Sequence, residues 1–210
     1  MAPQLVWLIT GTTSGLGREL ALEALKRGDR VIATGRGRSI AKLADLKDKG
    51  AGILELDVTS PLETFQEVAK KAAAIHGRID VLVNNAGYPE TFHDKISPLG
   101  LRSICVDFGY FRTSLLESDR RVTKPSAIAN YQEAVEQYEA FIHSVNGKQL
   151  GNPLKGVEAV ADVVRGEGSA AGKLFPKSLA LGTNCYNTAK KATEEAKRLE
   201  EWKVSFSTDF

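Results

Sequence analysis

Three groups of residues in this chain have types and spacings that could do chemistry. The first is Gly11, Gly15 and Gly17, with Thr12, Thr13, Ser14 and Leu16 between them. This spacing lets a backbone turn sharply, approach a ligand closely and seat the following helix on its sheet. The free N–H groups and positive dipole end of that helix favour an anion such as a pyrophosphate. The second group is Ala33-Thr34-Gly35-Arg36-Gly37-Arg38, roughly 20 positions further on, where dinucleotide folds often carry an acid for a ribose 2′-hydroxyl. Here there is no carboxylate, and two arginines flank a glycine. A guanidinium grips a 2′-phosphate through paired charged hydrogen bonds, so Arg36, assisted by Arg38, favours NADP over NAD. The third group is Asp57, placed to accept from an adenine amino group, with Asn84, Asn85, Ala86 and Gly87. Amides and small residues at a strand's carboxyl end suit the crevice where open α/β sheets bind ligands.

Strands and helices must alternate to bring these groups together, and the hydrophobic pattern says that they do. Leu5–Thr10 reads as a strand, followed by a helix from near Gly15 that buries Leu16, Leu20 and Ala24 and stops at Gly28. Arg30–Thr34 is a second strand, Ile40–Leu46 a short helix and Ala51–Leu56 a third strand. Ser60-Pro61-Leu62-Glu63 predicts a capping box with Ser60 as N-cap, opening a helix with Phe65, Val68, Ala72 and Ile75 on one face. Asp80–Asn84 is a fourth strand. This alternation argues for a parallel sheet covered on both faces.

Beyond residue 125 the pattern turns helical. Ile128, Tyr131, Val135, Tyr138, Ile142 and Val145 line one face of a helix that stops near Gly147. Asn152 caps a second helix with Pro153 after it, and a last helix from about Thr188 aligns Ala192, Ala196, Leu199 and Trp202. The region 125–166 is expected to lid the pocket, with Tyr131, Tyr138 and Phe141 as candidate lining residues.

Composition narrows the function classes. The 210 residues fit one domain, with 1–87 as its cofactor half and 102–210 as the remainder. A net charge of +2 gives no concentrated basic footprint, so nucleic acid is excluded as a partner. Cys105 and Cys185 lack metal-ligand spacing and the three histidines do not join them, so no metal site is expected. No apolar run approaches the ~20 residues of a membrane span, and the chain reads as cytoplasmic.

Taken together, Thr10-Gly11-x-x-x-Gly15-x-Gly17, Asp57 and Asn84-Asn85-Ala86-Gly87 resemble the short-chain dehydrogenase/reductase family. Asp107-Phe108-Gly109-Tyr110-Phe111-Arg112-Thr113 is similar to that family's Pro-Gly segment, with Phe108 where the family usually has proline. The resemblance covers essentially the whole chain. It implies a Rossmann-type doubly wound α/β fold, NADP binding, and hydride transfer between the nicotinamide and a small-molecule carbonyl or alcohol. It also implies that Thr113 approaches the nicotinamide amide.

One stretch departs from the family. Its catalytic serine, tyrosine and lysine come from a strand and helix between the Asn-Asn-Ala-Gly segment and the next strand, expected here at Arg102–Val106. Only Tyr88–Leu101 occupies that interval, and Pro89 and Pro98 interrupt any helix within it. A crossover between parallel strands needs a dozen or more residues, so two βα units, on the order of 60–80 residues, are missing. Tyr186 and Lys190 repeat the family's Tyr-x-x-x-Lys spacing, but they follow the Asp107–Thr113 segment rather than precede it, and Lys173 stands where the serine is expected. We therefore assign no catalytic residue from sequence. Carbonyl reduction is expected to be absent or severely impaired, and the alternative reading is a non-catalytic NADP-binding or protein-interaction module. The missing helices often form the dimer interface in this family, which leaves homo-oligomerisation open, and without them the flanking strands are expected to expose apolar faces.

Overall fold

The computed structural model describes residues 3–86, 96–117 and 131–206, with side chains to 198. Its elements are β1 (Val6–Ile9), α1 (Gly15–Lys26), β2 (Arg30–Gly35), α2 (Ala44–Asp48), β3 (Gly52–Glu55), α3 (Leu62–His76), β4 (Val81–Val83), β5 (Cys105–Phe108), α4 (Gln132–Val145), α5 (Pro153–Arg165), β6 (Ser178–Leu181) and α6 (Thr183–Phe206). A 3-10 helix, Gly37–Leu43, leads into α2 where the sequence predicts one short helix. Among the described residues no helix is long and apolar enough to cross a membrane, and no cluster of His, Cys, Asp and Glu could hold a metal ion.

Every strand pair is parallel. Four strands form one sheet in the order β3-β2-β1-β4, and β5 and β6 form a second. Alternate side chains of a strand face opposite ways, and the central strands use both faces. Trp7, Ile9, Val31 and Ala33 pack with Leu20, Ala21 and Ala24 of α1 and Val157 and Val160 of α5. Val6, Leu8 and Ile32 pack with Ala72 of α3 on the other side. This is the doubly wound α/β arrangement that the alternating pattern predicts. Val106, Phe108 and Leu181 join the first of these clusters, so the second sheet shares a core with the first. Among the described residues β4 and β5 do not pair, and Leu82 of β4 is 58% exposed.

The second half of the chain is fastened to the first by α5 lying along α1. An ionic cluster at the amino ends of the strands fixes this contact. Asp29, 1% exposed, takes both oxygens to Arg165 Nη1 at 2.7 and 2.9 Å, and accepts from the Trp7 indole at 2.9 Å and the Leu5 amide at 2.9 Å. Alongside it Arg27 bonds Glu23, Asp162 and Glu167.

Several boundaries differ from the sequence reading. Ser60 is not the N-cap of α3: its N–H closes a turn on the Asp57 carbonyl. Pro61 takes that position in an extended conformation, makes no side-chain capping bond, and has no N–H to leave unpaired. The strand expected at Arg102–Val106 lies at Cys105–Phe108, and β6 was not foreseen. By contrast Asn152 caps α5 as expected, its Oδ1 accepting from the Leu154 amide at 2.9 Å, with Pro153 in the first turn. The last helix starts at Thr183, before the expected Thr188. Ile128 lies outside the described residues.

Replacing Asp29 by Ala leaves the Trp7 indole without its acceptor and the buried Arg165 guanidinium with Glu167 alone. The expected loss is about 3–5 kcal/mol in equilibrium urea unfolding, and adding Arg165→Met to Asp29→Ala is expected to recover part of it. Burial opposes the charge of Asp162, but bonds from the Ser169 amide and hydroxyl and from Arg27 outweigh it and hold this carboxyl below its ordinary pKa. Its stabilisation is complete above the unfolded aspartate value, ~4, and is lost as pH falls through the lowered folded value. An acid titration of unfolding free energy checks this: Asp162→Asn is expected to flatten that limb.

Candidate functional site

The carboxyl ends of β1 to β4 present the predicted groups side by side. At the end of β1 the chain turns through Gly11, at φ 68°, and Gly15, at φ 62°, a region that favours glycine. Thr12 is buried and ties this turn to β2, its N–H and Oγ1 both donating to the Thr34 carbonyl at 3.0 Å. Ser14 is the N-cap of α1, extended at φ −170°, and makes no side-chain capping bond. The first-turn N–H groups at Gly15, Leu16 and Gly17 are thus free of a capping side chain and available to an anion.

The amide of Asn85 braces the turn rather than facing a ligand. Its Nδ2 donates to the carbonyls of Thr10 at 3.0 Å and Gly11 at 3.2 Å. The Asn85 and Ala86 N–H groups both donate to Thr10 Oγ1 at 3.0 Å. Gly17 exists for this brace: a Cβ there would overlap the Asn85 amide and lie 2.8 Å from the Gly11 carbonyl oxygen. Asn84 is exposed beside it, and Gly87 lies outside the described residues.

Arg36 and Arg38 follow β2 and are exposed. Asp57, after β3, accepts from the Thr59 N–H at 3.0 Å and hydroxyl at 2.8 Å. Those bonds, with the positive charge of Arg36 and Arg38, hold its carboxyl below the usual range. The two arginines and the carboxylate therefore share one corner of the sheet. Thr13 packs its methyl against Gly35 at the edge of that corner.

Thr113 arrives from the other sheet. Its Oγ1 accepts from the Leu115 N–H at 3.4 Å and starts a short 3-10 turn. A cavity of about 360 Å³ lies between the glycine turn and this segment, lined by Gly15, Arg112, Thr113, Ser114, Asn146 and Gly147 among others. Of the region 125–166, expected as a lid, Asn146, Gly147 and Pro153 line it. Tyr131, Tyr138 and Phe141 are more than half exposed and do not line it. Phe108, in the family's proline position, stacks edge-on with Phe111, centroids 5.2 Å apart, and both rings press on Gly156 of α5. Tyr186 and Lys190 sit on the exposed first turns of α6, Tyr186 at 59% exposure, and neither lines the cavity.

Parallel strands, a glycine turn under an uncapped helix and a cleft at the strands' carboxyl ends define a Rossmann-type doubly wound α/β protein. Residues 5–117 match the family model described as short chain dehydrogenase, and the chain belongs to that family of NAD(P)-binding oxidoreductases. It is 42% identical over 90 residues to Oxidoreductase BOA17 of Botryotinia fuckeliana, covering 41% of this chain and 32% of that protein. It is 37% identical over 89 residues to the 3beta-hydroxysteroid dehydrogenase of Mediterraneibacter gnavus, covering 39% of this chain and 31% of that protein. The chain thus spans about a third of the length of these curated relatives. A solved short-chain dehydrogenase from Streptomyces avermitilis has 26% identity and a TM-score of 0.73, covering 99% of this chain and 100% of that one.

Gly17→Ala is expected to push the Asn85 amide off its two carbonyls. The loss is about 1–3 kcal/mol of stability, read by thermal unfolding, together with weakened dinucleotide binding read by titration.

Proposed function

We propose that this chain binds NADP(H) through its N-terminal half and, as it stands, has little or no carbonyl reductase activity. The observation that supports the cofactor choice is the exposed Arg36–Arg38 pair at the end of β2, a stretch with no acid of its own, although the Glu55 carboxylate of β3 reaches Gly37 between them. The residues present fit such a cofactor. The glycine turn and uncapped start of α1 suit the pyrophosphate, Arg36 and Arg38 the 2′-phosphate, Asp57 the adenine, and Thr113 the nicotinamide amide. Asn84 and Ala86 line the crevice in this reading, while Asn85 positions the turn.

NADPH supplies a hydride for delivery to a carbonyl carbon. The chain must supply a proton to the oxygen, and here the difficulty begins. No serine, tyrosine and lysine come together in the cavity among the described residues, and Tyr186 with Lys190 stand outside it. Among the described residues β4 and β5 do not pair, which fits the loss of the βα units that carry those groups in the family. Substrates remain those of the class: a small carbonyl or alcohol for any form of the protein that retains the missing units.

Titration of the purified chain with NADPH and NADH, followed by a ketone panel, tests both parts. NADPH is expected to bind more tightly than NADH, with Arg36→Ser cutting that preference about 10–100-fold. Turnover is expected to stay at background; steady NADPH oxidation abolished by Tyr186→Phe would refute the second part. NADH binding as tightly as NADPH would refute the first.

A further inference from the structure

The amino ends of β5 and β6, at the other end of these strands from the cleft, carry two glycine turns with leucines at their tips. The first turn is the 3-10 segment Ser97–Leu99, followed by Gly100 at φ 72°. Leu99 is 73% exposed, and Leu101 beyond the glycine is more than half exposed. The second turn passes through Gly172 at φ 71°, and Leu174 just after it is 95% exposed. Two contacts hold these turns side by side. The Cys105 N–H donates to the Lys177 carbonyl at 3.0 Å, and the Arg102 guanidinium lies over the Phe175 ring, 4.3 Å from its centroid. The strand register, Cys105 beside Ser178, runs back through that contact and puts Leu101 beside Leu174.

The charges around these leucines have one sign. Arg102, Lys173 and Lys177 are exposed, and residues 97–106 and 168–181 contain no Asp or Glu. The acid just before the second segment, Glu167, is already bonded to Arg27 and Arg165. A single exposed leucine needs no explanation, but leucines on adjoining tips among unopposed cations form a patch of defined character. The tips project and line no part of the cavity. A projecting leucine is covered by entering an apolar layer, while lysine and arginine stems let their charged heads stay at the level of lipid phosphates. We propose that the leucine tips at the amino ends of β5 and β6, with Arg102, Lys173 and Lys177, dock this chain on an anionic phospholipid surface. No helix crosses the bilayer in this arrangement; the tips enter only the boundary between headgroups and acyl chains. The cleft, at the carboxyl ends of the same strands, then faces water. The contact is independent of the NADP(H) reading.

Co-sedimentation of the full chain with lipid vesicles tests this. Phosphatidylcholine vesicles carrying about 30% phosphatidylserine are expected to bind the chain, and pure phosphatidylcholine vesicles to bind it about tenfold more weakly. Lys173→Glu is expected to weaken binding to the anionic vesicles about tenfold, and raised salt to weaken it in the unmodified chain. Leu99→Ser combined with Leu174→Ser is expected to cost about tenfold or more and, both side chains being exposed, to leave thermal unfolding unchanged. No binding to anionic vesicles, equal binding to both kinds, or a leucine variant that binds as well as the unmodified chain would overturn the proposal. So would a dimer in sedimentation velocity without lipid that the leucine variant loses, because a second copy of the chain would then cover the tips.

Discussion

The Asp29 carboxylate accepts from the Leu5 amide, the Trp7 indole and the Arg165 guanidinium, joining β1, the start of β2 and the end of α5 at one buried point. Removing such a charge from water is costly, and only a full set of donors offsets the loss. Here the donors come from both halves of the chain, so the carboxylate is satisfied only when α5 lies along α1. The contact is therefore selective for one docked geometry as well as cohesive. Its position also matters. The cluster sits at the amino ends of the strands, while the glycine turn, Arg36 and Thr113 occupy the carboxyl ends. The edge of the sheet that meets the ligand is left free of the bonds that hold the halves together.

The same docking explains how a sheet in two pieces keeps one core. Among the described residues β4 and β5 do not pair, yet Val106, Phe108 and Leu181 still pack against the cluster built on Trp7 and Val157. Apolar contact is non-directional and tolerates a gap in the hydrogen-bond ladder; backbone pairing is not so forgiving.

Much of this arrangement could be read in advance, for reasons that differ by element. The glycine turn, α1 and the first three strands obey strong local rules, and the structure follows them. Asn152 and Pro153 mark the start of α5 because a cap and its following proline act within one turn. Ser60 misled because a neighbouring turn on Asp57 claimed its N–H, a competition that spacing alone cannot rank. β6 escaped because four residues, Ser178–Leu181, carry too little periodicity; only their partner β5 identifies them as a strand. Within the site, the placing of Arg36 and Asp57 at one corner of the sheet and of Thr113 at the cavity was legible from motif position. The bracing role of Asn85 was not, since it depends on carbonyls some 75 residues away.

The separation of Asp29 from Arg165, 136 residues, also sets an order of events during synthesis. At typical elongation rates, roughly 7–27 s pass between the appearance of one and the arrival of the other. Through that interval α1 can fold on β1 and β2, but its side facing α5 stays wet and the Asp29 carboxylate lacks its cation. The nascent chain is thus most vulnerable on the inner flank of α1, away from the nucleotide cleft. A ribosome that pauses before α5 emerges would hold a half-closed sheet whose sticky surface is the one a chaperone would have to shield.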